Sequence, residues 1–366
     1  MQAIVVTAPG QVAVQRVPVP ELAENQILVK TSAIALNPTD WKHDSIADSS
    51  TLHLRTTACI ALLHQHRDFV SPPNARLGCD FAGTVDKVAE GVTHVQVGDR
   101  VAGFVHGGRW EDIGSFAEYV KTDSTLVWKV PESVSWEEAA ASGGIAPLTA
   151  VQALYLRLKL NQPSNPVKDD TPVLVWGAAS SVGLYAVQLL RLSGYRAIAV
   201  ASPKNWDLVK SLGADSTYDY SDPDVLTKIA SDFPTLSLAL DCISENGTTF
   251  QCAQAFASRR GHVVALLPLD DARLAAETPE VKTETTLVYT VLGKAFHWWF
   301  DWPVMDDDKR TIEQWLKVDM PYLMGSGQLK SNPLLRREGG LEQVNSGMDF
   351  QKAGKNSAQK LVYTLA

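Results

Sequence analysis

The chain has 366 residues, 45% hydrophobic and 20% charged, with a net charge of -8. That length exceeds what one core usually fills, so two domains are expected. The acidic balance argues against nucleic-acid partners, which are gripped by clustered Lys and Arg. No stretch approaches 18 uninterrupted apolar residues and no basic, apolar leader opens the chain, so neither a membrane span nor a secretory signal is read, and a cytoplasmic setting is expected. Cys59, Cys79, Cys242 and Cys252 stand apart without a Cys-x-x-Cys pair, which suits a reducing compartment and offers no metal framework.

From Met1 to about Val130, short runs rich in β-branched residues (AIVV, QILVKTSAIAL, GTVDKVA, RVAGFV, AEYVKT) are punctuated by Pro, Gly and Asn. They predict a compact β-rich domain over 1–134. Residues 44–67 interrupt it with neither strand alternation nor a capped helical face. At Ser135 the period changes. Glu138 follows it at the capping-box spacing, and an apolar helical stretch runs on through Tyr155. Strands are then predicted at 171–177, 195–202, near 216–220, 236–243 and 261–268, with helices at 182–194 and around 248–257. Near-continuous apolar strands alternating with helices predict a doubly wound parallel sheet over 135–285. Past about Glu284 alternation resumes. LVYTL (361–365) reads as a final strand rejoining the first domain, which 286–366 complete. The fold class is α/β, a Rossmann sheet inserted in a β-rich domain.

VLVWGAASSVG (173–183) passes from a strand through a small-residue turn into a helix, the context in which a dinucleotide pyrophosphate sits on a helix N-terminus. The glycine fingerprint falls on Ala178, Ser180 and Gly183, so only its third glycine is present. The alternative is a plain strand-to-helix turn. Ser180, Ser181, Val182 and Gly183 are the pyrophosphate candidates, two of them adding hydroxyls. About 20 residues on, where an NAD-specific fold places an acid for the ribose 2′-hydroxyl, the chain has Ser202, Pro203, Lys204 and Asn205. A hydroxyl and an ammonium suit a 2′-phosphate, so NADPH is expected over NADH. The alternative is that Lys204 is an ordinary surface lysine.

The motifs NPTDWK (37–42), GCDFAGTV (78–85), VGDRVAGF (97–104), SFAEYV (115–120), WGAASSVG (176–183), ASPKNWDLVKSLGAD (201–215), LDCIS (240–244), NPLLRREGGLE (332–342) and the terminal KLVYTL carry a resemblance spanning the whole chain. It resembles the quinone-oxidoreductase-like medium-chain dehydrogenases/reductases, and in particular the fungal zinc-binding-dehydrogenase-like proteins that include trans-acting enoyl reductases of polyketide assembly lines. The resemblance implies a GroES-like fold for the β-rich domain and an NADPH-dependent oxidoreductase.

Family members that oxidise alcohols bind zinc through a Cys in the first motif and a Gly-His-Glu in the second. Here those places read Asn37 and Gly78-Cys79-Asp80, and Cys79 with His43 falls short of the usual three protein ligands, so no metal is expected. Without a Lewis acid, reduction of a conjugated C=C is favoured over alcohol oxidation. It requires a hydride for the β-carbon, carbonyl polarisation and a proton, which protein donors can supply.

The resemblance assigns roles residue by residue. Thr39, Asp40, Trp41 and Lys42 line the nicotinamide side, with Lys42 a carbonyl or cofactor contact. Thr149, followed by Ala150 and Val151, lies beside the substrate. Lys42 and Thr149 are the catalytic candidates; the alternatives are that Lys42 is mere surface charge and Thr149 a helix-start hydroxyl. Tyr220 joins Ser202, Lys204 and Asn205 near the adenine-ribose phosphate, and Leu266 and Leu267 end a strand against the nicotinamide. Thr290, Val291, Leu292, Gly293 and Lys294 form part of the acyl pocket, and Ser357 with Ala358 closes over the cofactor. HWWFDW (297–302) is read as a wall of an apolar substrate channel, as core, or as a partner-facing patch.

Three functions follow: reduction of an enoyl thioester presented by a polyketide synthase, reduction of a free quinone or small enone, or a non-catalytic NADPH-binding accessory subunit. Oligomeric state stays open between monomer and homodimer. Roughly twenty residues after Lys42 exceed the family's spacing. They are read as a lid, a tolerated surface loop or translated non-coding sequence, and comparing the transcript across codons 43 to 68 separates these.

Overall fold

The computed structural model describes residues 1–8, 10–44, 71–168, 170–269, 271–298 and 300–365. The additional stretch after Lys42 therefore falls almost entirely outside the described residues, as does Trp299.

Strands β1 (Gln2–Ala8) and β2 (Gln11–Arg16) form an antiparallel ribbon. β3 (Gln26–Ala35) leads into α1 (Pro38–Asp44), which opens on proline, the residue whose fixed φ suits a first helical position. β4 (Asp80–Val88), β5 (Arg100–Phe104), β6 (Tyr119–Asp123) and β7 (Val127–Lys129) follow, then α2 (Trp136–Ala141) and α3 (Ile145–Val151). The wound segment comprises β8 (Pro172–Trp176), α4 (Ser181–Leu192), β9 (Arg196–Val200), α5 (Trp206–Leu212), β10 (Ala214–Tyr218), α6 (Val225–Asp232), β11 (Leu238–Asp241), α7 (Thr248–Gln254), β12 (Gly261–Ala265), α8 (Asp271–Glu277) and β13 (Val281–Thr285). A hairpin of β14 (Phe296–Trp298) and β15 (Phe300–Trp302) follows, then α9 (Asp306–Gln314), α10 (Met320–Gly325), β16 (Leu334–Arg337), α11 (Val344–Lys352) and β17 (Lys360–Thr364).

The chain divides into two compact units, Met1–Ile145 with Tyr289–Ala366, and Ala146–Val288. In the first, β16-β17-β3-β4-β5-β7 form one sheet and β6 also pairs with β3. β3 is central, and so is buried along most of both faces rather than alternating. The last strand does rejoin the first unit: Val362, Tyr363 and Thr364 pair with Ala35, Ile34 and Ala33. Ile27, Val29, Phe81, Val85, Val101 and Val120 fill one core of this unit.

In the second unit six strands run parallel in the order β10-β9-β8-β11-β12-β13. Leu174, Ile198, Ala239 and Val263 on its strands bury against Ile229, Cys252 and Phe256. Apolar side chains on both strand faces need helices to cover them, which the alternating α-helices supply.

The structure departs from the sequence reading around Ser135. The capping box is present, with the Glu138 N–H donating to Ser135 Oγ (3.2 Å) and the Ser135 N–H to Glu138 Oε2 (3.0 Å). The helix it opens ends at Ala141, however, and a second starts at Ile145. The break falls at Gly143-Gly144, where a Cβ on Gly144 would lie 2.4 Å from the Phe104 ring. Because α2 packs on β3, β4 and β17, residues 135–145 group with the first unit, not with the second as expected.

Candidate active site

The strand order of the second unit reverses between β8 and β11, the place where doubly wound sheets take ligands beyond the carboxyl ends of their strands. α4 starts here. Ser180 is its N-cap, and its Oγ accepts from the Gly183 N–H at 3.1 Å. A Cβ on Gly183 would sit 2.4 Å from the Gly177 carbonyl oxygen, so only glycine lets the helix start so close to the turn. Gly177 itself has φ of +75°, and its missing Cβ leaves room for Ile243 Cγ1, which a Cβ would approach to 2.6 Å. A compressed, side-chain-poor turn feeding a capped helix N-terminus matches what a pyrophosphate requires: close backbone approach, outward amides and a positive dipole end.

The expected 2′-phosphate residues share one end of the sheet. Val200 pairs with Tyr218, and Ser202 and Tyr220 each lie two residues beyond that pair. Ser202 and Asn205 are half-buried, while Pro203, Lys204 and Tyr220 are exposed. No carboxylate occurs in 201–205. Ser202, Lys204 and Asn205 supply a hydroxyl, an ammonium and an amide there. Leu266 and Leu267 follow directly on β12, half-buried, and the Leu266 N–H donates to Ser244 Oγ at 2.8 Å. Thr149, Ala150 and Val151 close α3 and are all buried.

In the first unit α1 carries Thr39, Asp40, Trp41 and Lys42. Lys42 Nζ stands 5.7 Å from the centre of the Trp41 ring. Asp40 differs from the role expected of it. It is 1% exposed, and its carboxylate accepts the Asn37 N–H at 2.6 Å, an anchor for the start of α1 rather than a surface offered to a cofactor. Burial lifts its pKa to about 7, although the Asn37 hydrogen bond and the Lys360 charge pull the other way. Beside it, burial pushes the Cys79 thiol well up, helped by Asp40 and opposed by a bond to Tyr289. Cys79 Sγ and Tyr289 Oη lie 3.5 Å apart.

Asn37 and Asp80 form a closed polar cluster with Lys360. Asn37 Nδ2 donates to Asp80 Oδ2 (2.9 Å), Lys360 Nζ donates to Asn37 Oδ1 and to the same Asp80 oxygen (3.0 Å), and the Ile145 N–H donates to Asp80 Oδ1 (2.9 Å). Lys360 and Asp80 are essentially unexposed. Every oxygen a metal would need from Asn37 and Asp80 already accepts a hydrogen bond. Among the described residues no group of three or more His, Cys, Asp or Glu could hold a metal ion.

The acyl-pocket candidates separate. Thr290 and Val291 are wholly buried, and the Thr290 hydroxyl donates to the buried Asp308, so this pair builds the interior instead of presenting a surface. Leu292 and Gly293 are half-buried and Lys294 is exposed. Ser357 is exposed, and Ala358 takes φ of +53° two residues before β17. Of the aromatic segment, Trp298 and Trp302 are buried and Phe300 is 45% exposed. Trp298 stacks near His106 and Tyr289 (ring centres 5.1 and 5.2 Å), and those two rings lie face to face at 3.8 Å. Sequence reasoning missed Tyr289, His106, Lys360 and Asp241. Only Asp241 and Lys360 lay inside quoted motifs, and neither motif says what its residue binds.

A parallel sheet with a dinucleotide turn at its switch point, joined to a β-rich unit, defines a nicotinamide-dependent oxidoreductase of the medium-chain type. Residues 23–132 match the alcohol dehydrogenase GroES-like domain family and residues 181–297 the zinc-binding dehydrogenase family. The chain is 35% identical to the trans-enoyl reductase ACTTS2 of Alternaria alternata, covering 100% of this chain and 98% of that protein. It is 33% identical to the trans-enoyl reductase resD of Aspergillus sclerotiorum, covering 99% of each. Among solved structures, the CurK enoyl reductase aligns with a TM-score of 0.75 at 19% identity, over 100% of this chain and 99% of that one. The Escherichia coli quinone oxidoreductase complexed with NADPH aligns at 0.72 and 17%, covering 100% of both. The chain belongs to the medium-chain dehydrogenase/reductase family and groups there with the fungal trans-enoyl reductases.

Proposed function

We propose that this chain is an NADPH-dependent enoyl reductase that saturates the conjugated double bond of a thioester carried by a polyketide synthase. The observation that carries the reading is kinship with trans-enoyl reductases over 85–100% of the chain, at 33–36% identity for ACTTS2, resD and TOXD. The absence of an acid in 201–205 supports NADPH over NADH.

Bound NADPH supplies a hydride. The turn at 177–183 would hold the pyrophosphate on the first amides of α4, and Ser202, Lys204, Asn205 and Tyr220 would receive the 2′-phosphate. Lys42, in the first unit, carries a positive charge of the kind that stabilises negative charge developing on a thioester oxygen, and Thr149, in the second, carries a hydroxyl of the kind that orients an acyl group. Carbonyl polarisation falls to such side chains because the Asn37, Asp80 and Lys360 groups are committed to one another.

Single-turnover NADPH oxidation, followed by absorbance with crotonyl and longer enoyl thioesters beside quinones and primary alcohols, tests the reading. Selective turnover of the thioesters is expected. NADPH is expected to exceed NADH in kcat/KM, and Lys204→Ala to shrink that preference about tenfold, the size of one lost charged hydrogen bond. Equal efficiency with both cofactors sinks the NADPH assignment, and tight NADPH binding without turnover of any substrate points to an accessory subunit.

A further inference from the structure

Between β11 and α7 the chain turns through Asp241, Cys242, Ile243 and Ser244, beside the point where the strand order reverses. Ser244 holds φ of 56°. Residues with a Cβ rarely adopt such left-handed values, and they persist only where the surroundings impose them. Glycine at 244 would have made the turn without strain.

The imposing group is identifiable. Asp241 is 0% exposed, and its Oδ1 accepts the N–H groups of Ile243 and Ser244, both at 3.0 Å. Its Oδ2 accepts the hydroxyls of Thr248 and Thr249, both at 2.7 Å. With the carboxylate saturated in this way, the Ser244 hydroxyl is aimed across to the neighbouring strand. It donates to the Asp241 carbonyl at 3.0 Å and accepts the Leu266 N–H at 2.8 Å. The same turn lays Ile243, 38% exposed, against the space left by Gly177. One buried carboxylate therefore fixes two sides of the crevice, the floor under the dinucleotide turn and the end of β12.

We infer that Asp241 and Ser244 act as a latch that shapes the dinucleotide crevice, positioning Ile243 against Gly177 and holding Leu266 in place. They are positioning residues, and the inference rests on the NADPH reading given above. The latch explains why a strained serine stands where an unstrained glycine would close the same turn.

The test uses the full chain carrying Ser244→Gly, with three readouts: NADPH binding by fluorescence titration, the thermal unfolding midpoint without cofactor, and amide hydrogen exchange at Leu266. Glycine relieves the left-handed φ, while the lost hydrogen bonds and a freer unfolded chain oppose that gain, so the midpoint is expected to stay near the wild-type value. The dissociation constant for NADPH is expected to rise about tenfold, and Leu266 exchange to accelerate by a similar factor. An unchanged dissociation constant in the folded variant overturns the latch and leaves the cofactor reading intact. A wild-type chain that binds no NADPH removes the cofactor reading and the latch with it. Rapid exchange of the Leu266 amide in the wild type overturns the latch however the variant folds.

Discussion

Asp40 keeps a carboxyl inside the first unit, where its ionised form is poorly solvated. Its pKa moves from the ordinary 3.8 to about 7 on folding. Between those values the native chain holds a proton that the unfolded chain has released. Stability from this group is therefore complete below about pH 4 and is lost as pH rises toward 7, by about 4 kcal/mol in all. Denaturant unfolding at pH 4.5 and 7.5 checks this against Asp40→Asn, which keeps an acceptor for the Asn37 N–H but does not titrate. The wild type is expected to lose most of that amount relative to the variant over the interval. Parallel pH profiles for the two chains would show that the carboxyl is better solvated than its burial implies.

At the scale of elements, α2 depends on a cap that is local in sequence. Ser135 and Glu138 satisfy each other's backbone N–H groups, and Ser135→Ala is expected to cost about 1 kcal/mol in urea unfolding. A loss below roughly 0.3 kcal/mol would mean that packing alone sets the start of α2. This box was legible because both partners lie within four residues. The wound sheet was legible for a related reason, since apolar runs such as VLVW and AIAV declare strands buried on both faces. The end of α2 was not, because the Phe104 ring that favours Gly144 belongs to a strand some forty positions earlier. Nor was the inward turn of Thr290, whose partner Asp308 lies on α9, beyond the hairpin. Motif matching brought Ser202, Lys204 and Tyr220 to one sheet end; it could not say that Asp40 serves α1 itself.

For the molecule as a whole, the Asn37–Asp80–Lys360 cluster shows how buried charge is managed far from any local sequence pattern. Lys360 is separated from Asn37 by 323 positions and from Asp80 by 280, so no local pattern could reveal the contact. Because these groups satisfy one another, dialysis against a strong chelator is expected to leave enoyl-thioester reduction and the unfolding midpoint unchanged. A loss of rate restored by added zinc would contradict that expectation. Breaking the cluster is a different matter, since a buried charge stripped of its partner is strongly destabilising.

Both points where the chain leaves and re-enters the first unit are tied to adjacent residues. The Ile145 N–H is held by Asp80, and the Tyr289 hydroxyl meets Cys79. Insertions are best tolerated where the two severed ends stay fixed close together in the host. Residues 146–288 thus have the layout of a cassette, entered and left through neighbouring sockets of a host that closes its own sheet with β17. A graft of this unit between relatives is therefore expected to keep the host's strand register when spliced at these two sockets, which circular dichroism and unfolding of the chimera would check.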